Sequence, residues 1–467
     1  MDIIFSQNAQ FLESDMETPI GFFMRLVGEN QGIFLESAEV DGRWGCYSII
    51  ATDFLLTVSC QNGKLNMQFL DENLSPLRKH QDKPFLEGLQ DLFNCIDIKA
   101  DTETSYPPIT RAFYGYLGYD FAGLFNPKLA QSIPPEDAQA QLVLPRTLIL
   151  FDHVYNKIIR LDLTFKGEPL TLLPSAVSEQ KTDKPFRKNA LSSKQTYMQG
   201  VTKVKELIRQ GEVIQVVLSA SFEAPLSQKP FEIYRKLRRL NPSPYMFYMQ
   251  FEDFTLMGSS PEVLISSHEN TLKLCPIAGT RPRSKDHAED IFFEEDLLDD
   301  EKEKAEHTML VDLGRNDLGC IATPGSVHVE RYMEVERFSH VMHLTSRIRA
   351  TLSPGLGIVD VLKAAFPAGT VSGAPKIRAM EIIAEMEQAP RGPYAGAIGW
   401  LGLDKTSVNL DLGITIRSLW FQNGTVQWQA GAGIVYDSDP EKEWQECLNK
   451  SAIIRDILQT ENNGSSC

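Results

Sequence analysis

The sequence predicts an α+β protein built in two parts, and three observations lead there. Before about residue 165 the chain carries runs that read as short strands separated by turns. Residues 166–193 are rich in Pro, Ser and Lys with little periodicity, and read as a linker or long loop. Beyond them, strand-like segments alternate with long helical ones. At 467 residues the chain exceeds one average domain. The expected division is a mostly β first part, 1–180, and a second part, 190–460, intertwined with it.

The elements follow in order. IFLESAEV, YSIIATDFLLTVSC, KLNMQFL and TLILFDHVYNKIIRLDLTF supply strands to the first part, with some helix between them. Ser193 caps a helix with an apolar stripe of Tyr197, Val201, Val204, Leu207 and Ile208, which ends at Gly211. EVIQVVLSASF is a strand with Ile214, Val216 and Leu218 on one face and Gln215 on the other, beside Val213 and Val217. Residues 290–314 read as one long helix. Ser372, with Pro375 in the first turn, is expected to start another helix that runs to about Met386. SVNLDLGITIRSLW and TVQWQAGAGIV alternate like adjacent strands. Asp439-Pro440-Glu441 combines a cap, a first-turn proline and an acid, a strong helix start. The polar tail TENNGSSC is expected to fray.

Composition narrows the function. Apolar residues make up 42% and charged residues 23%, as in an ordinary soluble protein, which excludes disorder as the main state and collagen or coiled-coil character. Lys and Arg total 46 against 62 Asp and Glu, a net −16, which argues against nucleic acid or an anionic membrane as the main partner. No apolar run approaches the roughly 20 residues of a spanning helix. The opening MDIIFSQNAQFLESDMET lacks a basic region and is broken by acids, so no signal peptide is expected. The seven cysteines (Cys46, Cys60, Cys95, Cys275, Cys320, Cys447 and Cys467) are odd in number and include no CxxC, as expected of free thiols in a reducing cytoplasm. The fingerprints of P-loop, α/β-hydrolase, dinucleotide-binding and zincin proteins are missing.

Two carboxylate pairs remain. Glu303 and Glu306 share a helix face that continues through Leu310 and Leu313. Glu443 and Glu446, with Lys450 one turn on, lie about 100° round their helix from Trp444, Leu448 and Ser451, and so border its buried face. Taken alone, each pair also fits a solvated surface. If all four converge, repulsion is of order 3 kcal/mol per pair at ~6 Å and an effective dielectric near 20. A hard divalent cation relieves it, and all-oxygen ligation suits Mg²⁺. Pro276-Ile277-Ala278-Gly279-Thr280-Arg281, the run from Phe366 through Thr370 and Ser372 to Lys376, and Gly431 with Gly433 offer small residues, hydroxyls and approachable N–H groups, a cradle for an anion. Arg417 can pair bidentately with a carboxylate. Together they describe a site for a small polycarboxylate beside magnesium. The acid–base candidates are Glu262, His307, His340 and His343.

The segments GEVIQVVLS, SSPEV, PIAGTRPR, AEHTMLVDLGRNDLG, FSHVMHLTS, FPAGTVSGAPKIRAMEII, YAGAIGW, ITIRS and QAGAGIVYDSDPEKEW run in order through about residues 194–458. They resemble the chorismate-utilising enzymes, and within these the large subunit (component I) of anthranilate synthases. FLESAEV and FYGYLGYD resemble them more weakly. The resemblance implies β-sheets packed with helices outside and an active site in a cleft between the sheets. It implies a lyase that adds ammonia to chorismate as the 4-hydroxyl leaves, then eliminates pyruvate to give anthranilate. By motif position, Glu306 and Glu446 would hold Mg²⁺, with Glu303 and Glu443 close behind, through water. Glu262 would be the general acid, and His343 would lie near the departing hydroxyl. Arg417, Tyr394, Gly433 and Lys450 would take substrate carboxylates, and Gly279, Thr280 and Thr370 would line the pocket.

Two positions discriminate among relatives. Members that add water carry a lysine base where this chain has Gln215, and an amide takes no proton from water at neutral pH. Aminodeoxychorismate synthases, the alternative reading, usually carry lysine where this loop has Ala278. A third reading is a non-catalytic amino-acid-sensing subunit. Leu35-Glu36-Ser37 and Asn241-Pro-Ser-Pro244-Tyr245-Met246 match the family's site for tryptophan as feedback inhibitor. Two positions depart from the family pattern: Gly413 stands where some members have cysteine near the inhibitor, and Cys447 where threonine is usual. The chain shows no glutaminase signature, so ammonia is expected from a separate glutamine amidotransferase subunit (component II) or from free ammonium.

Overall fold

The computed structural model describes residues 3–13, 16–37, 46–100, 106–170, 188–226, 228–338 and 341–459. Most of the expected linker, the polar tail and His340 lie outside them. The first-part strands appear at Gly32–Glu36, Tyr47–Gln61, Lys64–Phe69, Ala140–Asp152 and Lys157–Phe165. Strands at Ile3–Leu12 and Ala112–Leu117 add to them.

Strands from the two stretches pair with each other. Gly32–Glu36 runs antiparallel to Tyr245–Gln250, with Glu36 opposite Met246. Ala112–Leu117 pairs with Ala397–Gly402, which pairs in turn with Leu410–Ile414. One apolar core accordingly draws Ile33, Val58 and Tyr114 together with Ile265, Ile398 and Leu412. A second core packs the helices Lys194–Arg209, Lys376–Glu387 and Pro440–Gln459 on strands Gln215–Pro225 and Thr425–Ile434 through Val201, Ala379, Val216, Ala432 and Trp444.

Local capping explains where the helices start. Ser193 closes a capping box with Thr196 ahead of Lys194–Arg209. Asp439 Oδ1 accepts from the amides of Glu441 and Lys442, both at 3.0 Å. The expected helix over 290–314 is two: His287–Asp299 and Glu301–Gly319. Asp300 leaves the helical region, and its Oδ1 accepts from the Lys302 amide at 3.0 Å and the Glu303 amide at 3.2 Å. Those bonds satisfy N–H groups that a helix start otherwise leaves bare.

Two further expectations need correction. Ser372 caps no helix: its hydroxyl donates to Ala368 O at 2.8 Å, Gly373–Ala374 pair with the Gln215 strand, and the helix begins at Lys376 behind Pro375. The residue before a proline favours extended backbone, which suits Ala374 to that pairing. The run SVNLDLGITIRSLW is broken by Arg417 at φ 51°. Its first half, Leu410–Ile414, pairs with Val263–His268, and only its second half, Ser418–Gln422, lies beside Thr425–Ile434.

Candidate active site

Strands Gln215–Pro225 and Thr425–Ile434 are antiparallel, with Val217 opposite Gly433 and Ser219 opposite Gly431. Side chains are excluded at these glycines. A Cβ on Gly433 would stand 2.7 Å from Gln215 Nε2; one on Gly431 would stand 2.6 Å from Leu218 O and 3.0 Å from the Tyr394 hydroxyl oxygen. Gln215 is buried at the head of its strand, and its Nε2 donates to Glu306 Oε1 at 3.0 Å. The strand floor is thereby tied to the first acidic helix. The second is tied from the other side: Lys450 Nζ donates to Gly431 O at 2.9 Å and pairs with Glu446 Oε1 at 2.7 Å.

The two acid pairs therefore flank Gln215 and the glycines. Glu303 is half-buried; burial raises its carboxyl, with Glu306 and Asp300 adding, and the nearest guanidinium, Arg281, is 4.0 Å away. Burial likewise raises Glu443, and Glu446 adds, against a hydrogen bond from Ser438 and the charge of Lys302 on the facing helix. Glu446 is exposed. Among the described residues no three His, Cys, Asp or Glu side chains converge closely enough to cage an ion. Each helix presents a pair instead of contributing to a closed four-acid cluster.

Glu262 sits in the turn between strands Thr255–Ser260 and Val263–His268, where its carbonyl accepts from the Ile414 amide at 2.9 Å. Part of the residue stays accessible, but acidity follows the surroundings of the carboxyl, which is encased. Burial pushes it up to about 7, against the nearby Thr370 hydroxyl and the Lys450 charge. The Thr370 hydroxyl is buried and makes no completed hydrogen bond.

His343, on strand Val341–Thr351, has its Nδ1 2.7 Å from Gly279 O and 3.1 Å from the Thr280 hydroxyl. A carbonyl only accepts, so the Nδ1 proton goes there and Nε2 is left with a lone pair. Burial lowers the imidazole, so it stays neutral. Gly279 has φ 66°, and a Cβ on it would approach Leu297 to 2.7 Å and Glu303 Oε2 to 3.3 Å. His307 does other work. It is fully buried, its Nε2 lies 2.6 Å from Ser346 Oγ, and that oxygen takes the Met333 amide, so the pair pins the Glu301 helix to the strands beneath it. Arg417, at its positive φ between two strands, presents a largely buried guanidinium whose charge burial disfavours, while Tyr394 and Glu446 support it.

The residues matched to an inhibitor site lie on or beside the paired strands Gly32–Glu36 and Tyr245–Gln250. Glu36 is buried and accepts from the Tyr234 hydroxyl at 3.0 Å and from Arg238 Nε. Ser37 follows Glu36, and Pro244 leads into strand Tyr245–Gln250, where Met246 is buried opposite Glu36. The Tyr245 hydroxyl donates to Asp411 Oδ1 at 2.7 Å. A Cβ on Gly413 would come within 2.6 Å of the Tyr245 ring, so the ring lies directly on that glycine. Cys447 is buried, its Sγ 3.1 Å from the Tyr197 hydroxyl.

A buried ion pair behind the floor was not singled out from sequence. Glu387 and Arg391 are each 1% exposed and 2.7 Å apart. Glu387 accepts from Ser219 N and Oγ; Arg391 donates to Val217 O and Val371 O, both at 2.7 Å, and lies over the Tyr394 ring. It fastens the Gln215 strand to the Thr370 turn. The i, i+4 spacing at a helix end was its only local signal.

A family model described as chorismate binding enzyme matches residues 54–456. The chain belongs to the chorismate-binding enzymes. Among members of this family it is 39% identical to anthranilate synthase component 1 of Aquifex aeolicus, over 95% of this chain and 93% of the relative. It is 39% identical to the protein of the same name from Lactococcus lactis, over 94% and 97%. The crystal structure of anthranilate synthase component I from Streptococcus pneumoniae superposes with a TM-score of 0.70 at 33% identity, covering 97% of this chain and all of that one. A menaquinone-specific isochorismate synthase from Escherichia coli, 21% identical, shares the chorismate-binding fold with a TM-score of 0.70 over 98% of this chain and 95% of that one.

Proposed function

We propose that this chain is the large subunit of an anthranilate synthase, a lyase that converts chorismate and ammonia to anthranilate and pyruvate, the first committed step of tryptophan biosynthesis. Near-full-length likeness to proteins of that name supports the reading. The observation that carries it over the water-adding alternative is Gln215. Its amide is bound to Glu306 and has no basic lone pair, so a water molecule there finds no base, whereas ammonia is already a nucleophile. Ala278 in the substrate loop favours anthranilate over aminodeoxychorismate.

Magnesium suits this donor set. The two acid pairs are all-oxygen, and Glu303 and Glu443 are raised by burial first, with the neighbouring acid adding in each case. Magnesium needs only one or two protein carboxylates, with water and substrate oxygens completing its shell, so a closed cage is not required. Glu306 and Glu446 would hold it, with Glu303 and Glu443 behind them through water. When bound, the ion would polarise the ring carboxylate of chorismate and offset its charge in a protein of net −16.

The chain's own residues supply the rest. Arg417 and Lys450 bind carboxylates, and the bare backbone at Gly431 and Gly433 lets substrate approach, with Tyr394, Thr370, Gly279 and Thr280 walling the pocket. Glu262, protonated near neutrality, gives its proton to the departing 4-hydroxyl. His343, neutral with Nε2 free to accept, stands by that hydroxyl. Ammonia comes from a partner glutamine amidotransferase subunit (component II) in a hetero-oligomer. Glu36, Ser37, Pro244, Tyr245 and Met246 form the site for tryptophan as feedback inhibitor. The protein works in the cytoplasm, in keeping with cysteines that are free among the described residues. Incubating the chain with chorismate, Mg²⁺ and ammonium tests the reading: blue-fluorescent anthranilate is expected, and isochorismate alone, or no product, contradicts it.

A further inference from the structure

A cavity meets Glu262. It is lined by Glu262, Thr370, Cys275, Leu313 and Asp317 among others, and by none of Gln215, Glu306, Arg417 and Lys450. About 50 Å³ of it is open to the centres of water molecules. One water needs roughly 10–15 Å³ on that measure, so a short file of waters fits. Glu262, Thr370 and Asp317 supply polar side chains to a wall otherwise lined largely by apolar ones. Asp317 lies on the Glu301 helix and takes Lys376 Nζ at 2.7 Å, their side chains 18% and 13% exposed. That ion pair fixes the carboxylate and leaves an edge of it in contact with solvent.

The chemistry gives such a cavity a task. In each turnover Glu262 passes its proton to the 4-hydroxyl, the C–O bond breaks with its electron pair going to the departing water, and a carboxylate remains. It must take a proton back before the next turnover, while bound substrate or product fills the other approach. We propose that the cavity is the proton-return path, with Asp317, held by Lys376, orienting the water through which a solvent proton reaches the Glu262 carboxylate. Asp317 acts through that water and is a positioning residue. Burial raises its carboxyl against the pull of Lys376, which brings it nearer to exchanging protons at neutral pH. This inference rests on the reading of Glu262 as general acid.

Steady-state turnover of the full chain in H₂O and D₂O, with ammonium as nitrogen source, tests it. Asp317→Asn is expected to lower turnover roughly tenfold, less than the 10²–10⁴-fold of a group that transfers the proton itself, as suits a residue acting through water. Its KM for chorismate stays unchanged, a solvent isotope effect larger than that of the native protein appears, and small weak acids such as imidazolium restore the rate. Asp317→Glu keeps most of the activity. A fall in turnover with no added isotope effect and no buffer rescue means a merely structural role and overturns the proposal, as does unaltered turnover. Should Asp317→Asn not fold, Lys376→Gln is read by the same isotope and rescue criteria. Native turnover in Glu262→Gln would instead remove the underlying reading of Glu262, so the two failures are distinguishable.

Discussion

Gln215 Nε2 and Glu306 Oε1 are 3.0 Å apart, which joins the strand floor of the site to its acidic helix. The amide orients a carboxylate and leaves no base at that point. Gln215→Lys would put an ammonium against Glu306 and compete with any cation there. Ammonium-dependent anthranilate formation is expected to fall about 100-fold, with traces of isochorismate appearing. Chromatography of the products decides, and unchanged anthranilate output would show that Gln215 plays no part in nucleophile choice.

Glu262 must be protonated to act and is held near 7 by burial. With free ammonia held constant, kcat/KM for chorismate should be flat on the acid side of about 7 and fall tenfold per unit above it. Glu262→Gln is expected to lose 10²–10⁴-fold in rate. Stability moves too. The folded protein binds this proton more tightly than the unfolded chain, so native stability drops as pH rises from the ordinary 4.5 through about 7. Glu262→Gln should lack that component in a urea titration repeated across this range.

Glu387 and Arg391 hold the Gln215 strand to the Thr370 turn. Glu387→Gln leaves a fully buried guanidinium without its counter-charge, a loss of about 3–5 kcal/mol. Urea unfolding measures it, and a change below about 1 kcal/mol would mean that Arg391 is satisfied by the carbonyls of Val217 and Val371 alone.

The Tyr245 ring packs against Gly413. Gly413→Ala must push the ring aside or break its bond to Asp411, at a cost of about 1–3 kcal/mol. If this group binds tryptophan, the same substitution shifts the tryptophan concentration for half-inhibition. Inhibition curves on both proteins check it, and superimposable curves would separate Tyr245 from the inhibitor.

What was legible in the sequence was local. Ser193 and Asp439 announce their helices because a cap and the amide that donates to it lie within three residues. The break at Asp300 stayed hidden in a run of acids, where a capping aspartate looks like one more surface charge. The pairing of Ala112–Leu117 with Ala397–Gly402 joins segments almost 300 residues apart, and nothing in either names the other. The glutamates were found by spacing along two helices. That Gln215 lies between them depends on a strand register that only the folded chain sets.

The most direct measurement is anthranilate production by Glu306→Gln and Glu446→Gln beside the native chain, over a Mg²⁺ titration. If substrate is turned over at a magnesium held between the two helices, each single amide should cost at least ~100-fold in turnover and demand more Mg²⁺ for half-maximal rate. Native rates in both variants, at unchanged Mg²⁺ demand, would contradict it.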